Sequence, residues 1–218
     1  MTSPAPPTSA TLQGHRLSCQ RGRRLLFEGL DITLAPGSLT WLRGANGSGK
    51  TSLMRILAGL STPAAGEVLW NGQPLRKAGP LARQAVAYIG HANALKDDLS
   101  LQEAVAFLAR LAGMDQADER ARTALDTLGL ANRRQALVRT LSQGQRRRGA
   151  LARLALDEQP RTWILDEPYD ALDADSIQRL SALISAQAAR GGAVLLTSHQ
   201  AVDLPGLQEH RLQSRPLT

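Results

Sequence analysis

The segment from residue 44 to residue 51, which reads GANGSGKT, constrains the fold more than any other part of the sequence. It matches the pattern G-x-x-x-x-G-K-[ST] in full, directly after a strand-like run and directly before a helical pattern, as a phosphate-binding loop requires. Glycines let backbone N–H groups surround phosphate oxygens, and the N-terminus of the following helix adds partial positive charge. The segment therefore predicts an α/β fold in which a strand, a loop and a helix together bind phosphate.

Two side chains of this loop have separate expected roles. Lys50 should reach the β and γ phosphates, and Thr51 should give its hydroxyl to Mg²⁺, so the loop predicts a magnesium-bound nucleoside triphosphate and not a dinucleotide. The residues expected to bind the nucleotide here are Gly44, Ala45, Asn46, Gly47, Ser48, Gly49, Lys50 and Thr51.

Polar residues that end two other strands are the candidates for chemistry. The apolar run TWIL delivers Asp166 and Glu167 at its carboxyl end, where open α/β sheets place their ligands. Asp166 is the expected magnesium ligand. Glu167 is well placed to orient and deprotonate an attacking water, a role that contributes about 10²- to 10⁴-fold to a rate. His199 ends the last strand in the same way, so we expect it to reach the γ-phosphate or the water.

The remaining pattern predicts one domain with an inserted helical part. Short strand-like runs from 12 to 43, broken by Gly29, indicate a β region, and Asn71-Gly72 predicts a hairpin. Two capping boxes, Ser100 with Glu103 and Ser142 with Gln145, predict the starts of helices, the second of which is expected to run through Leu156. We therefore expect a disordered tail over 1–11 and a single domain over 12–218, with a helical subdomain at about 95–157.

Composition excludes several classes of protein. A chain of 218 residues with 43% hydrophobic content suits one domain, and its apolar runs are shorter than the roughly 18 to 20 residues that span a bilayer. The single cysteine, Cys19, excludes an internal disulfide. The net charge of +7 could indicate nucleic acid, but aromatic residues make up only 3%, so no nucleic-acid partner is expected and the charge suggests a nearby membrane or simple solubility.

Residues 141–145, LSQGQ, resemble the LSGGQ signature of ABC-transporter ATPases, with Gln143 in place of the first glycine. With the phosphate loop, the acidic pair, ALDAD at 171–175 and His199, the motifs of that family occur in its order over nearly the whole chain. No N-K-x-D motif supports a GTPase. The resemblance implies a P-loop NTPase of the ABC type, which has a RecA-like core, an N-terminal antiparallel β region and an inserted α-helical subdomain, and which hydrolyses ATP with Mg²⁺.

The same resemblance implies a dimer. In ABC cassettes the signature contacts the γ-phosphate of ATP that is held by the other subunit, here through Ser142, Gly144 and Gln145. One chain would then carry two half-sites that are completed only in a head-to-tail homodimer. The loop of Asp173 would cross the interface, and hydrolysis at Glu167 would release the dimer.

A closer resemblance, carried by GEVLWNGQPL, YIGHANALKDDLS, LSQGQRRRGALARL, TWILDEPYDALD and TSHQ, is to the ABC cassettes of cytochrome c biogenesis. His91 stands where most cassettes have a glutamine that touches Mg²⁺ and the membrane partner. The resemblance implies a CcmB-like transmembrane subunit, with CcmC and the haem chaperone CcmE in the wider complex. It also implies a position on the cytoplasmic face of the bacterial inner membrane and a role in haem export or in release of the haem-loaded chaperone.

Three points stay open at the level of the sequence. The cargo could instead be a lipid, a lipoprotein or an ion. A soluble ABC ATPase of DNA repair or translation is a second alternative, although such proteins usually carry tandem cassettes or a long coiled coil, and this sequence shows neither. The aromatic residue that usually stacks on adenine falls near Arg21, whose guanidinium could stack on the base or lie in solvent.

Overall fold

The structure is a computed structural model that describes residues 10–156 and 159–213. Most of the tail expected over 1–11 lies outside the described residues. At its described end, the Thr11 N–H donates to Asn71 Oδ1 at 2.9 Å and the Thr11 carbonyl accepts from the Asn71 N–H at 2.9 Å. In the described part of the chain, no helix combines the length and the apolar character that crossing a membrane requires.

After three strands at its beginning, the described chain contains α-helices interspersed with further strands. The strands are β1 (Leu12–Arg21), β2 (Arg24–Leu34), β3 (Leu39–Arg43), β4 (Ala65–Trp70), β5 (Gln73–Pro74), β6 (Val86–Ile89), β7 (Thr162–Leu165), β8 (Ala193–Leu196) and β9 (Leu207–Arg211). The helices are α1 (Lys50–Leu57), α2 (Gly79–Gln84), α3 (Leu101–Leu111), α4 (Ala117–Thr127), α5 (Gln143–Leu151) and α6 (Ala174–Ala189).

The chain divides into two compact units. The first comprises the described residues of Met1–Tyr88, Gln159–Asp166 and Gln187–Thr218, and the second those of Ile89–Glu158 and Glu167–Ala186. The division falls between the two neighbouring carboxylates of the expected site, Asp166 and Glu167. The limits that the sequence predicts for a helical subdomain, about 95–157, stay a prediction.

The first unit contains an antiparallel sheet in the order β2-β1-β4-β5. Its hairpin between β4 and β5 turns at Asn71 and Gly72, whose φ values of 49° and 77° suit a type I′ turn, so the predicted hairpin is confirmed. The break expected at Gly29 is wrong. Strand β2 runs through Gly29, which takes a φ of 61°, and the irregularity is absorbed as shifts in the register with β1.

The first unit also contains a five-stranded sheet in the order β6-β7-β8-β3-β9, in which β3, β7, β8 and β9 pair in parallel. All residues of β7 and β8 are buried, as expected of strands covered on both faces. Because β3, β7 and β8 are parallel, their carboxyl ends lie at the same edge of the sheet. The predicted α/β fold with an antiparallel β region is therefore confirmed.

The second unit is helical. The capping boxes predicted at Ser100 and Ser142 both form, and they begin α3 and α5. The expectation that one helix runs from Ser142 through Leu156 is wrong, because regular α-helix ends at Leu151 and the backbone tightens into a 3₁₀ turn over Ala152–Ala155. Helix α3 packs against α4 and against that turn through buried alanine and leucine side chains.

Candidate nucleotide-binding site

The loop from Gly44 to Thr51 joins β3 to the first turn of α1 in the first unit. Lys50 Nζ lies within the loop, where it donates to the carbonyls of Gly44 at 2.8 Å and of Ala45 at 3.3 Å. Helix α1 begins after Gly49 with no side-chain cap and no acidic residue in its first turn. Its positive end is therefore balanced by no side chain of its own, which suits an anion such as phosphate.

The residues of the loop fit the phosphates that the motif predicts. Gly49 has a φ of 103°, and a Cβ there would lie 3.1 Å from both Leu26 Cβ and Phe27 Cδ1, so the backbone can take this path only with glycine. The hydroxyl of Ser48 is buried and has no hydrogen-bond partner among the described residues. A buried hydroxyl donor without a partner is costly, and a phosphate oxygen is a suitable acceptor for it.

The structure brings Thr51 and Asp166 together at the carboxyl edge of the parallel sheet. Thr51 Oγ1 donates to Asp166 Oδ2 at 2.8 Å, and Thr197 Oγ1 donates to Asp166 Oδ1 at 3.0 Å. Asp166 is only 6% exposed. A carboxylate beside a hydroxyl is the kind of oxygen ligand set that Mg²⁺ prefers, so these residues fit the predicted metal ion.

Sequence reasoning missed two neighbours of Asp166. Thr197 follows β8, and its only signal in the sequence is its place at the end of a buried strand. Tyr88 lies at the end of β6, where burial and then the negative charge of Asp166 raise the pKa of its phenol, while Arg55 lowers it. A phenol is protonated at neutral pH, so the Tyr88 hydroxyl can donate a hydrogen bond to the Asp166 carboxylate, and this bond also raises the pKa of Tyr88.

An arginine that the sequence did not single out lies beside the phosphate loop. Arg21 and Arg24 are opposite each other at the end of the hairpin between β1 and β2, and both are exposed. A Cβ added at Gly47 would lie 3.8 Å from Nη1 and 3.9 Å from Nη2 of Arg24. The guanidinium of Arg24 therefore lies close to the backbone of the loop at Gly47.

His199 lies in the first unit, two residues after the buried Thr197, and its side chain is exposed. The expected site residues that remain to be placed lie in the second unit. His91 is exposed in the loop that follows β6. Ser142 Oγ accepts from the Gln145 N–H at 3.3 Å, and Gln145 Oε1 accepts from the Ser142 N–H at 3.0 Å, so these two residues cap α5.

Asp173 has a structural partner that the sequence analysis did not identify. Its Oδ1 accepts from the Ser176 N–H at 2.9 Å, which caps the first turn of α6. Hydrogen bonds from Ser176, and the positive charge of Arg148, lower the pKa of the Asp173 carboxyl. Asp173 is therefore a carboxylate at neutral pH. Its place at a dimer interface stays a prediction, as do the catalytic roles of Glu167 and His199.

A parallel sheet that carries a phosphate loop after one strand and a buried carboxylate after another defines the class of P-loop nucleotide-binding proteins. The family profile described as ABC transporter matches residues 27–170. Among solved structures, one titled "Structure of ATP binding subunit of ABC transporter" superposes with a TM-score of 0.77 at 27% identity, covering 86% of this chain and 79% of that chain. A putative ABC transporter ATP-binding protein from Pyrococcus furiosus, 23% identical, has a TM-score of 0.79 over 93% of this chain and 97% of its own, and shows the same fold.

Two relatives make the comparison more specific. A protein of Albidiferax ferrireducens named "Cytochrome c biogenesis ATP-binding export protein CcmA" is 43% identical over 95% of this chain and 99% of its own. A protein of the same name from Dechloromonas aromatica is 44% identical over 89% of this chain and 95% of its own. The chain therefore belongs to the ABC transporter family, within its group of cytochrome c biogenesis ATP-binding export proteins, and it is an ATPase of the ABC type. Both resemblances that the sequence suggested are confirmed.

Proposed function

We propose that this ATPase powers a membrane complex in c-type cytochrome biogenesis, where ATP hydrolysis serves haem export or the release of a haem-loaded chaperone. The observation that carries the proposal is the 43% identity, over 95% of the chain, to a protein named for ATP-binding export in cytochrome c biogenesis. The intact phosphate loop and the position of Thr51 beside Asp166 support the ATPase part of the proposal, since they supply the phosphate and magnesium ligands that this chemistry uses.

The chemistry proposed for the site follows from its residues. The loop and Lys50 bind the triphosphate, while Thr51 and Asp166 would hold Mg²⁺, which when bound would neutralise charge on the phosphate oxygens. Glu167 accepts a proton from water as the water oxygen bonds to the γ-phosphorus. The bond from that phosphorus to the bridging oxygen breaks, and ADP leaves with the bonding electrons. His199 contacts the γ-phosphate and orients it for this attack.

The proposed partners follow from the family and from the position of His91. A transmembrane subunit of the CcmB type docks on the chain at the cytoplasmic face of the inner membrane, with CcmC and the chaperone CcmE in the wider complex. His91 lies in an exposed loop, so its imidazole is available to a partner. The cassette acts as a homodimer in which Ser142, Gly144 and Gln145 of one copy face the ATP bound by the other.

Replacement of Glu167 by Gln tests the proposed activity and its purpose together. The amide keeps the shape of the side chain but cannot accept the proton, so we expect ATP binding to persist while turnover falls by at least about 10²-fold. A strain whose only copy carries Glu167→Gln should then lose holo-cytochrome c, measured by haem staining, whereas the wild-type gene should restore it. Normal holo-cytochrome c with no ATPase activity would contradict the proposed role and indicate another cargo.

A further inference from the structure

Arg147 is an arginine in the middle of α5 that is almost fully buried, with 4% of its surface exposed. Its Nη1 donates to the carbonyl of Gly90 at 2.8 Å, and its Nη2 donates to the carbonyl of Glu167 at 2.7 Å. Burial of a guanidinium is costly unless hydrogen bonds compensate for the lost water. Arg147 thus joins three segments of the second unit by bonds that a shorter side chain cannot make together.

The two carbonyls belong to segments with expected functions. Gly90 immediately precedes His91, the residue expected at the membrane partner. Glu167 is the expected base, and its backbone has a φ of 48°, which L-residues other than Asn and Asp rarely adopt. A residue in such a conformation needs surrounding contacts to hold it there, and a charged donor on its own carbonyl is one of these.

Helix α5 contacts the segment after Glu167 at a second place. A Cβ at Gly144, in the first turn of α5, would lie 2.8 Å from the carbonyl oxygen of Ala171, so the helix and this segment approach closely. The φ of Ala171 is 61°, a second strained residue in the same segment. The segment from Glu167 to Ala171 is therefore fixed against α5 at both of its ends, by Arg147 and by the approach at Gly144.

We propose that Arg147 is a positioning residue, which holds the main chain of Glu167 and of Gly90 against α5 so that the carboxylate of Glu167 points correctly for proton transfer. The inference rests on the proposed function, because it takes Glu167 as the base. A purely structural role would lower the stability of the protein without a specific effect on the chemical step. A positioning role lowers kcat while the KM and Kd for ATP stay nearly unchanged, since binding and chemistry use different groups.

The test compares Arg147→Met and Arg147→Lys with the wild-type protein in steady-state ATP hydrolysis. For Arg147→Met we expect kcat to fall about 10- to 100-fold with KM within about twofold, because small misplacements of a catalytic group cost this much. For Arg147→Lys we expect a smaller fall in kcat, about three- to tenfold. Lysine keeps the positive charge, but its ammonium lacks the two-pronged geometry of a guanidinium. If Arg147→Met does not fold, the lysine variant carries the test, and a folded lysine variant with wild-type kcat would overturn the proposal.

Arg120 provides a matched control within the second unit. Its Nε donates to the carbonyl of Asp115 at 2.9 Å and its Nη1 to that of Leu156 at 2.9 Å, so it also joins two main-chain segments, but neither is expected to function in hydrolysis. Arg120→Met should reduce the thermal unfolding temperature and leave kcat within about twofold. An equal loss of kcat in Arg120→Met and Arg147→Met would show that both effects are structural and would overturn the proposal.

A double variant separates this inference from the proposed function. If Arg147 acts through Glu167, the residual turnover of Glu167→Gln should be the same with and without Arg147→Met, because the group being positioned no longer accepts a proton. If Arg147→Met lowers the turnover of Glu167→Gln by the same factor as it lowers wild-type turnover, the positioning role would be overturned. Normal turnover in Glu167→Gln alone would instead overturn the assignment of Glu167 as the base.

Discussion

Arg24 brings a positive charge next to the backbone of the phosphate loop. In the described part of the chain it forms no salt bridge, and its guanidinium lies about 4 Å from the Cβ position of Gly47. A guanidinium at this distance can reach a bound nucleotide, so we expect Arg24→Gln to raise the Kd for ATP about tenfold, as the loss of one charged hydrogen bond does. Calorimetric titration with ATP checks this, with Arg23→Gln, an exposed arginine of the same hairpin, as the control that should bind normally. Equal losses in both variants would point to the general charge of the hairpin.

At this scale the sequence predicted the residues whose positions in the fold depend on spacing along the chain. Lys50, Thr51 and Asp166 are fixed by a loop and by the end of a strand, so their pattern is sufficient. The contacts of Arg24 and Arg147 join segments that are far apart in sequence. Hairpin length and helix packing decide which of several neighbouring arginines reaches the loop or the Glu167 carbonyl, and no local pattern carries that information.

Helix α3 begins with a capping box that should respond to acid. Glu103 accepts from the Ser100 hydroxyl at 2.6 Å and from the Ser100 N–H at 2.8 Å, and these bonds lower the pKa of Glu103 below its ordinary 4.5. A carboxyl whose pKa is lowered by folding stabilises the fold at any pH above its ordinary pKa. This contribution to stability is lost as the pH falls through the lowered pKa. Glu103→Gln should therefore lower the unfolding temperature at neutral pH, with a deficit that shrinks below about pH 4.5. Glu67→Gln, away from any cap, should show no such trend in thermal melts; a constant deficit in Glu103→Gln would contradict the mechanism.

Among the elements, those with strong local signals were predicted and weakly patterned ones were not. The capping boxes and the Asn71-Gly72 hairpin each rest on a few neighbouring residues. Strand β9 is polar and half-exposed, so it has no apolar run, and its pairing with β3 is visible only in the sheet. Helix α2 has six residues and begins at Gly79 and Pro80, which in sequence resemble a turn. The conformations of these two segments therefore depend on pairing and packing with distant parts of the chain more than on their own strand or helix propensity.

At the scale of the whole molecule, the residues expected to bind ATP fall into two sets. The phosphate loop and Asp166 belong to the first unit, whereas Ser142, Gly144 and Gln145 belong to the second. Ser142 and Gln145 cap α5 through the Gln145 N–H, and the N–H groups of the first helical turn point toward the N-terminal end of the helix. A helix start of this kind attracts an anion. The proposed head-to-tail dimer supplies one, because the γ-phosphate bound by the second copy is brought to it.

Complementation between two inactive variants tests this arrangement directly. Lys50→Ala removes the phosphate contact of one half-site, and Ser142→Arg blocks the other, so each variant alone should be inactive. In a mixed head-to-tail dimer one site combines both defects and the other has neither. An equal mixture forms mixed dimers half of the time, each with one good site of two, so we expect about a quarter of wild-type ATP turnover. Mixing Lys50→Ala with a chain that carries both substitutions should restore nothing, because no intact phosphate loop is then present. Equal rates in the two mixtures would mean that each chain completes its own site, and the dimer proposal would fail.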